Sequence, residues 1–104
     1  MPDIPKLKAE FFKALGHPLR IRVLELLSEG PKSVSTLLEL MDTGQPQLSR
    51  HLAQLRREGL VVARREGPMV LYSTADERIS ELLQLSRQML LDMATATRDE
   101  LKRS

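Results

Sequence analysis

The fold of this chain is decided by residues 43–60, T-G-Q-P-Q-L-S-R-H-L-A-Q-L-R-R-E-G-L. Leu48, Leu52 and Leu55 recur at i, i+4 and i+7, so in a helix they share one face and predict contact with a core. The other face carries glutamine and arginine side chains, with no acidic residue until Glu58 near its end. Taken alone, the stretch is also typical of an ordinary amphipathic surface helix, so the flanking sequence decides between the two interpretations.

The polar residues of this predicted helix suit nucleic-acid recognition. Glutamine amides can pair with adenine edges, and arginine guanidiniums can pair with guanine or bind phosphate. Gly59 is placed to end the helix, because glycine tolerates the left-handed conformation that closes many helices. A short helix with a leucine back and a Gln/Arg front therefore predicts a DNA-recognition helix, provided that a suitable turn precedes it.

The preceding residues supply that turn. Ser33 is a good N-cap for a helix over V-S-T-L-L-E-L-M. Asp42-Thr43-Gly44 then forms a short turn that contains glycine. Two helices joined across three or four residues in this way predict a helix-turn-helix over residues 33–59.

The sequence after Gly59 changes from helical to strand-like. Two β-rich runs flank the turn cluster E-G-P and predict a β-hairpin over residues 60–73. Such a hairpin is a wing, and Arg64 and Arg65 lie near its tip. The charge distribution agrees with a role for this part of the chain in DNA binding. Residues 44–67 carry a net charge of +3, whereas residues 1–43 sum to zero and residues 68–104 to −1.

Amphipathic helices are also predicted at both ends of the chain. Residues 1–5 contain two prolines and predict a flexible tail, whereas residues 6–15 and 76–102 show helical periodicity. A last helix about 40 Å long needs a partner outside a small compact core, and the simplest partner is its twin across a two-fold axis. We therefore expect a homodimer through the last helix, and the first helix either joins that interface or is a plain core helix. The expected interface residues are Leu7, Phe11, Leu15, Ile79, Leu83, Leu90 and Met93.

Three side chains offer alternatives to a purely structural role. His17 precedes Pro18 at the start of a second helix, where it is either a metal ligand or pH-sensitive group or, as is more common, a hydrogen-bonded structural residue. Met89 and Met93 contain soft sulfur atoms that can bind metals, but methionine at helical spacing more often fills gaps in packing.

Composition excludes several classes of function. The chain has 104 residues, which is one domain of ordinary size, and it contains no cysteine. Disulfides, thiolate metal sites and cysteine nucleophiles are therefore excluded. The sequence begins with no signal peptide and has no apolar run long enough to span a membrane, so we expect a cytoplasmic protein. His17 and His51 have no evident triad partners and there is no glycine-rich phosphate loop, so we do not expect an enzyme.

Three phrases in this order resemble the ArsR/SmtB family of bacterial winged-helix transcription regulators. F-F-K-A-L-G-H-P-L-R-I-R-V-L-E-L-L at residues 11–27 is similar to the opening signature of the family, with His17 where an acidic residue is more usual. Q-L-S-R-H-L-A-Q-L-R-R-E-G-L-V at residues 47–61 resembles its recognition helix, and R-R-E-G-P-M-V-L-Y at residues 64–72 resembles its wing. The resemblance covers residues 7–100. It implies a mainly α winged helix-turn-helix with a small β-hairpin, which dimerises through its first and last helices.

Departures from the family pattern concern the sensor. Residues 33–35 are S-V-S, where thiolate-sensing members carry C-V-C, and residues 76–104 contain no histidine, although zinc-type members carry histidine ligands there. We therefore expect no cofactor and no metal. A site for a hard metal, built from acids such as Glu81 and Asp92 at the dimer interface, stays an alternative. A small-molecule effector and a partner protein are the other candidate signals.

The sequence therefore predicts a homodimeric, sequence-specific transcription regulator with double-stranded DNA as its partner. The resemblance implies that it represses transcription from an inverted-repeat operator. The alternative is a winged-helix module for protein contact, or a regulator that depends on a co-regulator. His51 lies at the flank of the leucine stripe, so packing and phosphate contact are both open for it. The residues expected to face DNA are Gln45, Gln47, Ser49, Arg50, His51, Gln54, Arg64 and Arg65.

Overall fold

The computed structural model describes residues 1–103 as five helices and one two-stranded antiparallel hairpin. This composition is the mainly α fold with a small β-hairpin that the sequence predicts, and the order of elements is that of a winged helix-turn-helix. The elements are α1 (Ile4–Leu15), α2 (Pro18–Ser28), α3 (Val34–Leu40), α4 (Gln45–Arg57), β1 (Val61–Glu66), β2 (Met69–Thr74) and α5 (Arg78–Arg103).

Helix α1 begins two residues earlier than the expected start at residue 6. The Asp3 side chain accepts a hydrogen bond from the backbone N–H of Lys6 at 3.1 Å and caps the helix. Pro5 lies in the first turn, where its fixed φ is favourable and its missing N–H costs nothing. The two prolines of residues 1–5 therefore do not prevent helix formation, and the flexible tail predicted there is shorter than expected.

Side-chain caps fix the starts of the next two helices. The Nδ1 atom of His17 accepts a hydrogen bond from the backbone N–H of Leu19 at 3.1 Å, and Pro18 is the first residue of α2. The Ser33 hydroxyl accepts from the backbone N–H of Thr36 at 3.2 Å and caps α3, as the sequence predicts. The structure thus gives His17 the hydrogen-bonded structural role that is common at a helix start.

Helix α4 ends in a motif that ties it to the core. Gly59 has a φ of +76°, a left-handed conformation that glycine adopts without strain. Its N–H donates to the carbonyl of Arg56 at 3.1 Å, and the N–H of Leu60 donates to the carbonyl of Leu55 at 2.9 Å. Leu55 and Leu60 are both buried, which supplies the hydrophobic contact that accompanies this type of helix end.

The hairpin is joined to the helical body by its second strand. Its register pairs Val61 with Thr74 and Ala63 with Tyr72. The backbones of Lys32 and Tyr72 exchange two hydrogen bonds, at 2.9 and 2.8 Å, which form an isolated antiparallel bridge. The loop between α2 and α3 therefore holds the base of the wing in place beside the helix-turn-helix.

The core is built mostly of leucine and lies between α2, α3, α4 and the base of the hairpin. The leucine stripe of α4 is buried as predicted. The buried apolar residues are Ala14, Leu15, Val23, Leu24, Leu26, Leu27, Leu37, Leu48, Leu52, Leu55, Leu60, Val61 and Ile79. The first and last helices contribute little to this set, since α1 adds only its last two residues and α5 only one.

Consequently α1 and α5 leave much apolar surface exposed. The molecule measures 60 × 42 × 23 Å, because α5 extends well beyond the core. Two of the residues expected at a dimer interface are already used inside the protomer, since Leu15 and Ile79 are 6% and 5% exposed. Both lie at the ends of their helices nearest to the core, so their periodicity reflects packing within one chain. Leu7, Leu90 and Met93 are exposed, and Phe11 and Leu83 are half-buried.

Within residues 1–103 no helix is both long enough and apolar enough to cross a membrane.

The structure predicts that stability depends on α2 rather than on the distal part of α5. Leu24 is fully buried, so Leu24→Ala should lower the free energy of unfolding by about 2–5 kcal/mol through lost contacts and a residual cavity. Leu91 is 49% exposed, so Leu91→Ala is the matched control and should change stability little. Urea denaturation measures both, and equal losses in the two variants would contradict this assignment of the core.

Candidate nucleic-acid interface

The first two turns of α4 present polar side chains to solvent. Gln45, Gln47, Ser49 and Arg50 are all exposed, because Leu48 and Leu52 turn the opposite face of the helix into the core. No side chain caps the N-terminus of α4, where the N-cap residue is Gly44. The first backbone N–H groups of the helix are therefore available, together with the positive end of its dipole, to an anion such as phosphate.

Gln47 has a local role that the sequence pattern did not indicate. Its Oε1 atom accepts a hydrogen bond from the backbone N–H of Gly44 at 3.2 Å. This bond closes the turn onto the helix, in the manner of the glutamine of a capping box. The bond uses one lone pair of Oε1 and leaves the two Nε2 hydrogens available to a base edge.

Gln54 is half-buried and is held by its own helix. Its Nε2 atom donates to the carboxylate of Glu58 at 3.0 Å, and its Oε1 atom accepts from the guanidinium of Arg57. Gln54 also lines the cleft between α1, α2 and α4, beside Arg20 and His17. It therefore lies away from the exposed N-terminal residues of α4, and the structure does not bring it together with them.

His51 is the clearest departure from the expected interface. The residue is only 7% exposed, and its Nδ1 atom accepts a hydrogen bond from Nε of Arg20 at 3.0 Å. The imidazole ring also lies against the ring of His17, with centroids 4.3 Å apart. The expectation that His51 contacts DNA is therefore wrong for this conformation. Its position about 40° around the helix from buried Leu55 brings it onto the buried side, where it packs against α2.

Burial and charge favour the neutral form of the His51 ring. Burial is the largest cause that lowers the pKa of His51 below its usual 6.5, and the positive charges of His17, Arg20 and Arg50 lower it further. A neutral ring is also what the hydrogen bond requires, because an arginine guanidinium can only donate and Nδ1 must accept.

The wing separates its two arginines onto opposite faces. The register places Arg65 on the same face as Val61 and Ala63, which points toward the helical body, and Arg64 on the other face. Arg64 forms an ion pair with Glu66 at 2.7 Å, whereas Arg65 has no ion pair within residues 1–103. The exposed positive charge on the side facing α4 therefore belongs to Arg65.

A groove of about 570 Å³ lies between α4 and the wing. Tyr72 of β2 forms one wall, and the residues of α4 that line it are Ser49, Arg50, Ala53, Arg56 and Arg57. No carboxylate lines this groove, so its charge is strongly positive. Tyr72 was not among the residues that the sequence predicts at the interface. The alternation of side chains along the hairpin could have identified it, since Tyr72 shares a face with Ala63 and Arg65.

No group of three or more histidine, cysteine, aspartate or glutamate side chains in the described residues 1–103 is arranged to hold a metal ion.

Comparison with known proteins relates this geometry to a family. A family model described as a helix-turn-helix domain matches residues 15–64. Rv0081, an HTH-type transcriptional regulator of Mycobacterium tuberculosis, is 53% identical over 87 residues, which cover 82% of this chain and 75% of the relative. The crystal structure of Rv0081 matches with a TM-score of 0.84 at 45% identity, over 93% of this chain and 98% of that chain.

A second structure supplies the family name. The solution structure of the homodimeric winged helix-turn-helix DNA-binding domain of Mb0332 from Mycobacterium bovis, described as a possible ArsR-family regulator, matches with a TM-score of 0.74. It is 30% identical and covers 88% of each chain. The chain belongs to the ArsR-type winged-helix transcriptional regulators. As a member of that family it is a DNA-binding regulator of transcription, and its relatives are regulators rather than enzymes.

Relatives of this ArsR-type regulator differ in the direction of their control. A probable mercury resistance operon repressor of Streptomyces lividans is 36% identical over 92 residues, covering 88% of this chain and 74% of the relative. The transcriptional activator HlyU of Vibrio cholerae is 32% identical over 77 residues, covering 74% of this chain and 71% of the relative.

The lowered pKa of His51 predicts a pH-dependent stability. The unfolded chain takes up a proton at His51 near the usual 6.5, whereas the folded chain resists protonation until a lower pH. The free energy of unfolding should therefore fall as the pH drops through about 6.5, and should stop falling on this account below the folded pKa. Denaturant titrations between about pH 7.5 and about pH 5.5 measure this fall.

Two variants identify the histidine responsible. His51→Asn keeps an acceptor for Arg20 but cannot titrate, so it should flatten the fall. His17→Asn keeps an acceptor for the N–H of Leu19 and should retain most of it. If His17→Asn instead flattened the pH dependence of the free energy of unfolding and His51→Asn retained it, that dependence would be assigned to His17.

Proposed function

We propose that this chain is a homodimeric repressor that binds an inverted-repeat operator through α4 and the wing. The observation that carries the proposal is the carboxylate-free groove between α4 and Tyr72, which Arg50, Arg56 and Arg57 line. Arg65 lies on the same face of the hairpin as Tyr72. DNA is a regular polyanion whose major groove admits an α-helix, so a helix with polar side chains outward and a basic strand beside it suits this partner.

Base contacts are assigned to the exposed start of α4. Arg50 has no ion pair among residues 1–103 and is free to pair in bidentate fashion with guanine. Gln45 and Ser49 flank it on the exposed surface, and Gln47 joins them through its Nε2 donors while Oε1 holds Gly44. His51 and Gln54 are left out of the proposed interface, because the first is buried and the second is bonded within α4.

Phosphate contacts are assigned to the wing and to the rest of the groove. Arg65 lies on the wing face that points toward the helical body, and Arg56 lies one turn beyond Ala53 in the wall of the groove. Arg64 contributes less in this proposal, since Glu66 neutralises it. These contacts set affinity and orientation, whereas the start of α4 sets sequence preference.

Dimerisation is assigned to the apolar surfaces that one protomer leaves exposed. Along α5 the stripe that begins with buried Ile79 continues beyond the core through Met89, Leu90 and Met93, which are 56–63% exposed. Helix α1 adds Leu7 at 49% exposure and Phe12 at 55%. A second copy supplies matching surfaces by symmetry, and two recognition helices related by a two-fold axis suit an inverted repeat.

The chain contains no cysteine, and this excludes signals that are sensed through a thiolate. A thiolate site for a soft metal such as mercury cannot form, whatever the relatives sense. We propose that the regulator responds to a signal that needs no thiolate.

Repression rather than activation is supported by the similarity to the mercury resistance operon repressor. That similarity covers 88% of this chain, whereas the similarity to the activator HlyU covers 74%.

The proposed contacts predict different losses at two arginines. Arg50→Ala should remove about 1–3 kcal/mol of discrimination between specific and mutated operator sites. Arg65→Ala should weaken binding to all sequences alike and lower the slope of log affinity against log salt by about one. Fluorescence anisotropy on DNA from the chain's own promoter region, at several salt concentrations, measures both quantities. Arg64→Ala is the control and should change the slope less, because Glu66 already neutralises that charge.

If Arg50→Ala left both affinity and sequence preference intact, the assignment of α4 as the recognition helix would be refuted. If wild-type protein bound operator and random DNA equally, the proposed function itself would fail.

The proposed dimer predicts that charge is tolerated on one side of α5 only. Leu90→Asp places a carboxylate in the exposed stripe and should shift the protein to monomers, with loss of operator binding. Leu91 is 49% exposed and lies about 100° around the helix from Leu90, so Leu91→Asp is the matched control. Sedimentation equilibrium measures the assembly state of both. A dimeric Leu90→Asp variant would remove this stripe from the interface.

A further inference from the structure

The side of α4 that faces away from the groove is bound to α2 by a single polar contact. Nε of Arg20 donates to Nδ1 of His51 at 3.0 Å, and Nη1 of Arg20 donates to the carbonyl of Ala14 at 3.1 Å. One guanidinium therefore links the end of α1, the start of α2 and the middle of α4. The other contacts that α4 makes with the core are apolar and have no such directionality.

This contact exists only when His51 is neutral. The guanidinium donates at any physiological pH, so the ring nitrogen must carry a lone pair. A proton on Nδ1 removes the acceptor and places an imidazolium about 3 Å from a second cation. The hydrogen bond is then replaced by repulsion at a site that is largely shielded from water.

The basic groups in contact with His51 make its protonated form still less favourable, and acidic groups lie only in the neighbouring cleft. His17 from the linker between α1 and α2 lies against the ring, Arg20 comes from α2, and Arg50 is adjacent on α4. From α1, Glu10 and Lys13 line the neighbouring cleft, and Glu58 lines it from the C-terminal end of α4. Glu10 and Glu58 are therefore at hand as alternative partners for Arg20 once the bond to His51 is lost.

The position of His51 connects this contact to DNA recognition. His51 follows Arg50, the residue assigned to base contact, and precedes Leu52, which anchors α4 in the core. A rotation of α4 about its axis by a few degrees moves Arg50 relative to the wing, and bidentate pairing tolerates little displacement. A directional bond at residue 51 opposes this rotation more effectively than apolar packing alone.

We propose that Arg20 and His51 are positioning residues that hold α4 in its DNA-binding orientation, and that protonation of His51 releases it, so that operator binding weakens in acid. This inference rests on the proposed function, because it concerns the same recognition helix. It makes the regulator responsive to pH through a side chain that does not touch DNA.

The sign of the effect separates this proposal from ordinary electrostatics. Protonation of a histidine adds positive charge, and added charge on its own strengthens binding to DNA. Positioning through His51 predicts the reverse, a loss on the order of tenfold in operator affinity between about pH 7.5 and about pH 5.5 at constant ionic strength.

The variants are chosen so that folding is preserved. His51→Asn places an amide oxygen near the position of Nδ1 and keeps an acceptor that cannot titrate. We expect it to bind operator at about pH 7.5 as the wild type does, and to keep that affinity at about pH 5.5. Arg20→Met removes the hydrogen-bond donor to His51, so this variant should bind operator weakly at both pH values. His17→Asn leaves His51 as the only histidine in the chain and should retain the pH dependence.

The experiment is anisotropy with operator DNA across this pH range, with circular dichroism of the same samples. Weaker binding of the folded wild type in acid, abolished in His51→Asn, supports the proposal. Tighter binding in acid, an equal loss in His51→Asn, or an unfolded wild type at the acid end would each overturn it.

Failure of the proposed function gives a different result. Without specific DNA binding at about pH 7.5, no variant has an operator affinity to compare, yet the contact can still be followed in the free protein. The His51 ring signal in NMR spectra of His17→Asn reports protonation, and amide exchange along α4 reports release. If the rate of amide exchange along α4 stays unchanged while His51 becomes protonated, the positioning role of Arg20 and His51 is overturned without any measurement on DNA.

Discussion

The burial of Leu48, Leu52 and Leu55 decides which face of α4 lies in the core, and most other features depend on that choice. These three leucines are at most 2% exposed, and the bond from Leu60 to the carbonyl of Leu55 closes the helix against the same core. Once they are inside, Gln45, Ser49 and Arg50 must be outside. The proposed DNA-binding face is thus a consequence of core packing, because the leucines that stabilise the fold also decide which side chains of α4 face solvent.

A second constraint is the small size of the protomer core. Helix α5 has 26 residues but buries only Ile79, and α1 buries only Ala14 and Leu15. The core of the protomer contacts only the first turns of α5, so the rest of the apolar stripe on this helix has nothing within the protomer to cover it. The exposed stripe raises the free energy of the isolated protomer, and association of two copies removes this cost for both of them. Stability and assembly are therefore coupled in this architecture.

Most of the fold could be predicted from the sequence, because periodicity and capping act locally. The leucine stripe, the Ser33 cap, the glycine that ends α4 and the two strands of the wing all follow from the spacing of residues along the chain.

The site was less predictable, above all for a residue whose position around its helix lies between the buried and the exposed face. His51 lies at the edge of the leucine stripe, and its partner Arg20 comes from α2, 31 residues earlier, so spacing within α4 does not reveal the bond that holds it inward. In the same way, the pairing of Arg64 with Glu66 and of Gln47 with Gly44 depends on side-chain conformation, which spacing does not determine. Leu15 and Ile79 were assigned to the wrong interface because periodicity reports an apolar face without saying which surface covers it.

The two sides of α4 differ in how they respond to change. The groove side is built from arginines that stay charged at any physiological pH, so its attraction for a polyanion is constant. The opposite side depends on a histidine held neutral by burial, with no more than one directional bond to α2. A regulator needs one invariant surface for its target and one variable element that alters how that surface is presented. This chain has no cysteine and no histidine in α5. The only buried titratable side chain among residues 1–103 is His51, which lies on α4, the proposed recognition helix. Under the proposed function, any signal that changes the charge or hydrogen bonding of that side chain acts on α4 directly, without relay through the dimer interface.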